Sequence, residues 1–228
     1  MDWLVTARLT INGLGVGPLT RVGGGSEAVS TMATSAEPGA LSVRVAVPLG
    51  TLAGTDNTNT LLLSDDQYSL LASYYARQFK IYKCPADVYA STPQRALGWS
   101  SRARSISMNA AMGPGWKYYS YCHAVVKMSA LVNPAPAMAW VLVDEHPDSI
   151  NDAMLYVNPG MPLVNAAWVD WPASYHAGAC GFSFADGHSE IHKWQDSRTL
   201  APVTYTSINN MPVRGSVDYG WIAQRTPP

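Results

Sequence analysis

Asp186-Gly187 constrains this chain more than any other pair of residues. Gly181–Ala185 (GFSFA) precedes it and His188–Trp194 (HSEIHKW) follows. Asp-Gly between two alternating runs is the strongest short-range hairpin signal, because its two residues suit a type I′ turn. A two-residue turn there pairs Ala185 with His188, Phe184 with Ser189, Ser183 with Glu190 and Phe182 with Ile191. Side chains alternate between the faces of a strand. Phe182, Phe184 and Ile191 then share one face with Cys180, and His188, Glu190 and His192 share the other with Gly181 and Ser183. The expectation is a hairpin with an apolar core face and a polar face.

Two further strands are expected, at Arg104–Met108 (RSISM, alternating) and Met138–Val143 (MAWVLV, buried). Tyr68–Phe79 carries apolar residues near helical spacing and predicts a helix of about three turns. KIYKCPAD follows as a short strand closed by Pro85. The fold class is therefore α+β: a helix in the first half packed on an antiparallel sheet, with long loops. Residues 1–55 read as a separate segment rich in Gly, Ser and Thr, with GGGSEA at Gly23–Ala28 and one short strand near Val43–Leu49. Residues 56–228 form the globular domain.

Composition narrows the function classes. Charged residues make up 14%, against a usual ~25%, which suits an extracytoplasmic β-rich protein. Net charge is −1 with Lys and Arg scattered, so neither a nucleic-acid footprint nor a polybasic membrane patch is present. No run approaches the ~18 apolar residues of a membrane span, and the opening MDWLVTARLT lacks the basic start of an export signal. Cys84, Cys122 and Cys180 allow at most one internal disulfide, with three possible pairings, or buried free thiols. The absence of any CxxC argues against a zinc ribbon.

His176 is followed by nine residues and then by Asp186-Gly187. DNTNTLLL (Asp56–Leu63), YKCPAD (Tyr82–Asp87), RSISMNAAMG (Arg104–Gly113) and VLVDEHPDSINDA (Val141–Ala153) precede that pattern in order. Together these segments resemble a large bacterial family of pseudopilin-like proteins, similar to the major pseudopilin of type II secretion and ending in a His, nine-residue, Asp-Gly signature. The resemblance implies a pseudopilin-like head, an extracytoplasmic location, and partners that are other pseudopilin-like subunits or further copies of the chain. Nothing in residues 1–55 matches the prepilin leader and long apolar helix with which that family begins. The resemblance also implies calcium, held in a C-terminal loop. Asp144, Glu145, Asp148 and Asp152 in DEHPDSIND supply carboxylates for such an ion, although the EF-hand spacing is absent and an acidic solvated loop with Asx-type turns is the better account of the residues alone.

Competing chemistries remain beside this structural reading. His188 and His192 fall on one side of a strand with Glu190 between them, and with Asp186 or His176 they could ligate a transition metal. A water activated there, with His and Asp as general base, would attack a small ester or lactone. The catalytic set of that alternative is His176, Asp186, His188 and His192. The Gly-x-Ser-x-Gly elbow is absent; GWSSR at Gly98–Arg102 lacks the closing Gly. Cys180, on the Phe side of the hairpin, reads as a buried and inert thiol. Trp168 and Trp171 are either core residues or a platform for a glycan.

Overall fold

The computed structural model describes residues 58–69, 71–112, 125, 127–151, 153–206, 208 and 210–228, and the backbone of 6–9 and 41–44. In the N-terminal segment, β1 (Thr6–Leu9) and β2 (Leu41–Arg44) pair antiparallel. β2 overlaps the start of the strand expected at Val43–Leu49, whose remainder lies outside the described residues.

The domain is α+β. Among the described residues its main sheet has five strands, β3 (Ile106–Asn109), β4 (Trp140–Asp144), β5 (Met154–Leu155), β7 (Ala179–Phe184) and β8 (Ser189–Lys193), in the spatial order β5-β3-β4-β7-β8. All neighbours are antiparallel except β3 and β5, which run parallel. A second pair, β6 (Ala167–Trp168) with β9 (Met211–Pro212), stands beside it. The strands expected at 104–108 and 138–143 are thus present, each displaced by one or two residues.

The core gathers on one side of β4 and β7. Trp140, Val143, Cys180, Phe182 and Phe184 bury there with Trp168, Trp171 and Trp194. Phe182 is the hub, with Trp221, Trp194 and Trp140 in edge-on contact at 5.0, 5.9 and 6.1 Å, the geometry that the aromatic quadrupole favours. Trp168 and Trp171 are core, not a surface platform.

Helices are short. α1 (Leu61–Ser64) and α2 (Thr92–Ala96) have four and five residues, and α3 (Val217–Ala223) closes the core with Tyr219 and Ile222. Ser216 caps α3 by accepting the Tyr219 N–H. The buried Asp218 carboxylate accepts the Gln195 and Asp196 amides, both at 2.9 Å, and so ties the helix to the chain leaving β8.

Among the described residues, the three-turn helix expected over Tyr68–Phe79 does not form. A 3₁₀ turn covers Ala72–Tyr75 and ends where Ala76 and Arg77 enter the left-handed region, at φ 53° and 56°. The cause is tertiary. The Tyr75 hydroxyl reaches inward to Ser69 and to the Leu63 carbonyl, and its ring meets Tyr82 edge-on. Phe79–Tyr82 is likewise a 3₁₀ turn, not a strand. The helix on the sheet's aromatic face is α3, at the C-terminal end of the chain.

The hairpin is present, with its register one residue from the expected one. Phe182 pairs with Glu190, Gly181 with Ile191 and Cys180 with His192. Gly187 is left-handed at φ 96° while Asp186 is not, so the turn is not type I′. Instead Gly187 N–H donates to the Phe184 carbonyl, and Phe184 N–H to that of His188. Three residues lie between the paired positions, a type I turn followed by a left-handed glycine. A slip of one residue moves every side chain of a strand to the opposite face. His188, Glu190 and His192 therefore share the aromatic face, and Ile191 is 65% exposed.

That register has a stability signature. Phe182→Ala should cost about 3–5 kcal/mol, whereas Ile191→Ala should stay within about 0.5 kcal/mol of wild type, both read from urea midpoints. Comparable losses at the two positions would restore the two-residue turn.

Candidate functional site

On the sheet face opposite the aromatic core, three potential ligands meet. Asp144 ends β4, and strand alternation turns its side chain away from the buried Val143. Its Oδ2 lies 3.2 Å from His176 Nε2 and accepts the Gly181 N–H at 3.2 Å. Cys84 Sγ lies 3.6 Å from the same His176 nitrogen. Cys84 and Asp144 are buried and His176 is half-buried. Gly181 is required by the close approach: a Cβ there would stand 2.9 Å from Asp144 Oδ2. Burial raises the Cys84 thiol above its ordinary value. It raises Asp144 likewise, against the opposing pull of Gly181 N–H and His176.

A charged and polar frame surrounds the trio. The Cys84 amide donates to Ser105 Oγ at 2.7 Å. Three residues on, buried Asp87 pairs with Lys83 and with Arg102, the latter at 3.2 Å. Beside Asp144, Glu145 is fully buried and accepts from the hydroxyls of Ser107 and Ser149; Arg104 in turn donates to Ser107 Oγ at 2.8 Å. Ser149 Oγ accepts the Trp171 amide at 2.7 Å.

Three carboxylates of the acidic run expected to hold calcium face separate protein partners. Asp144 faces His176 and Gly181, Glu145 faces two serines, and Asp148 accepts from Thr204 N, Thr204 Oγ1 and Tyr205 N at 2.6–2.9 Å. Protein donors therefore occupy these three carboxylates in three separate places. Asp152 lies outside the described residues.

The four residues of the hydrolase alternative are not one site. His176 belongs to the Cys84–Asp144 cluster. Asp186 and His188 form a pair at the hairpin tip, 2.6 Å apart and exposed, with the His188 amide also donating to Asp186; this partner holds the Asp186 carboxyl below its usual range. His188 stacks on Phe184 at 4.3 Å, and His192 stacks on Trp221 at 3.6 Å. Among the described residues, Cys84, Asp144 and His176 are the only three such side chains whose ligand atoms gather within 4.8 Å. Cys180 is fully buried, makes an S–H bond to the Asp144 carbonyl at 3.2 Å, and has its thiol held well above the ordinary value by burial. Both Cys84 and Cys180 are free thiols, and Cys122 lies outside the described residues.

Sequence reasoning put His176 and Asp144 in two different candidate sites and missed Cys84, read as a possible disulfide partner or buried thiol. The available signal was that Cys84, Asp144 and His176 come from three of the segments that carry the family resemblance.

Two measurements probe these assignments. Asp148→Ala strips the acceptor from the Thr204 and Tyr205 amides; a loss of about 1–3 kcal/mol should accompany faster hydrogen exchange at those two positions. His192 is pushed below its ordinary 6.5, chiefly by burial and also by Arg225, with Asp218 and Glu190 pulling upward. The unfolded chain then takes up this proton before the folded one does, so stability falls as pH drops below 6.5. His192→Phe keeps the stack on Trp221 and should flatten that part of the pH–melting curve.

Comparison with family models, with curated proteins and with solved structures yields no match.

Proposed function

We propose that this chain is a pseudopilin-like subunit of a type II secretion or pilus-like assembly, acting outside the cytoplasm by subunit packing and not by catalysis. The observation that carries the reading is where the His, nine-residue, Asp-Gly signature falls. Its two ends bracket β7, and each is engaged by a protein partner: His176 by Asp144, and Asp186 by His188. The signature thus measures one strand with a fixed entry and a fixed turn.

The other resembling segments support the same reading. YKCPAD, RSISMNAAMG and VLVDEH are far apart in the chain and meet through Cys84–Ser105, Ser107–Glu145 and Asp144–His176 contacts. Residues in these segments are occupied in holding the head together. A calcium-ordered loop is not part of the proposal: the Asp144, Glu145 and Asp148 carboxylates face three separate sets of partners. Neither is a glycan platform, because Trp168 and Trp171 are buried.

The test is made on the tagged full chain in its own host. It should fractionate with the envelope and cross-link into multimers of itself or with other pseudopilin-like subunits. A cytosolic monomer would sink the proposal. So would turnover of small esters or lactones that His188→Ala abolishes with the fold intact.

A further inference from the structure

Cys84, Asp144 and His176 admit three readings: a hydrogen-bonded staple, a Cys-His-Asp nucleophilic relay, or a metal centre. A relay runs through the ring, with the thiol on one imidazole nitrogen and the carboxylate on the other. Here both Cys84 Sγ and Asp144 Oδ2 face the same atom, His176 Nε2. A single nitrogen cannot take the thiol proton while serving as donor to the carboxylate. The relay is therefore excluded by geometry.

A hydrogen-bonded staple accounts for the His176–Asp144 contact and gives Cys84 Sγ only a weak second contact, 3.6 Å from the same nitrogen. Convergence of all three on one small volume is what ligands around an ion do. Zinc binds sulfur at about 2.3 Å and imidazole or carboxylate at about 2.0–2.1 Å in a tetrahedron. Those bond lengths put sulfur and nitrogen about 3.5 Å apart, and nitrogen and oxygen about 3.3 Å apart. The observed separations are 3.6 and 3.2 Å, and all three ligand atoms lie within 4.8 Å of one another.

We propose that Cys84, Asp144 and His176 form a binding site for a zinc-class transition-metal ion. Thiolate and imidazole select such ions over calcium or magnesium, which prefer oxygen. His176 is 31% exposed while its two partners are buried, so ions enter past the imidazole and water completes the fourth position. Gly181 is a positioning residue: its N–H orients the Asp144 carboxylate, and its missing side chain leaves that carboxylate room. Bound there, the ion joins the segment after Tyr82, the end of β4 and the turn entering β7, whose ligands lie up to 92 positions apart. This goes beyond the assembly role and does not depend on it.

The probes are zinc and cobalt(II), added to the purified full chain in reduced form. Wild type should retain one zinc per chain through gel filtration and melt at higher temperature with zinc than with chelator. With cobalt it should show a thiolate charge-transfer band and the visible bands of a tetrahedral ion. Cys84→Ser and His176→Ala should lose the band, while Cys122→Ser and His192→Ala keep it. Gly181→Ala should weaken zinc about 10–100-fold, the usual cost of disturbing a ligand's support. Circular dichroism checks the folding of each variant. Wild-type protein without a thiolate–cobalt band overturns the proposal regardless of how the variants fold. A band that survives Cys84→Ser overturns it equally.

Discussion

Asp144 is the residue on which both faces of the sheet depend. Its carbonyl accepts from the Ala173 amide at 2.8 Å and from the Cys180 thiol on the aromatic side. Its carboxylate, on the opposite side, accepts from Gly181 and meets His176. One residue at the end of a central strand therefore fixes the entry to β7, the start of β7 and the polar cluster. A buried carboxylate is costly unless its oxygens are satisfied, and the main-chain donor from Gly181 supplies part of that requirement. This explains why β7 has a glycine where alternation leaves no room for a side chain.

The hairpin shows what was legible in the sequence and what was not. Asp-Gly announces a turn, but the pair serves two turns equally well: a two-residue type I′ turn, or a three-residue loop whose last residue is a left-handed glycine. These differ by a single position, and that position decides which face of β8 looks inward. Ile191, the one aliphatic residue of β8, favoured the wrong choice. What decides the outcome is aromatic packing: Phe184 takes His188, and Trp221 takes His192. Trp221 lies in α3, about thirty residues beyond, and local patterning carries no information about it. The same physics defeated the helix over 68–79, where inward hydrogen bonds of tyrosine outweighed periodicity.

The candidate site was legible in parts. Alternation in β7 put Cys180 in the core, and the structure has it buried there. The acidic run after β4 advertised an ion, yet its carboxylates serve three separate purposes. Density of charge along a sequence says little about convergence in space, because alternating strand residues and tight turns point neighbours apart. Cys84 was not placed in a site for the converse reason: its partners, distant in sequence, are brought to it by the fold.

The two edges of the five-stranded sheet are unlike. β5 has two residues, both buried, whereas β8 has five, and Ser189, Glu190, Ile191 and Lys193 are exposed. Among the described residues, β8 is the longer of the two edges and the one with exposed side chains. Two chains meeting edge to edge at β8 would occupy that border in both and stop at a pair. Charged Glu190 and Lys193 beside Ile191 discourage even that, as charges on exposed borders commonly do. A repeating array of this domain would therefore have to propagate through surfaces other than the β8 edge.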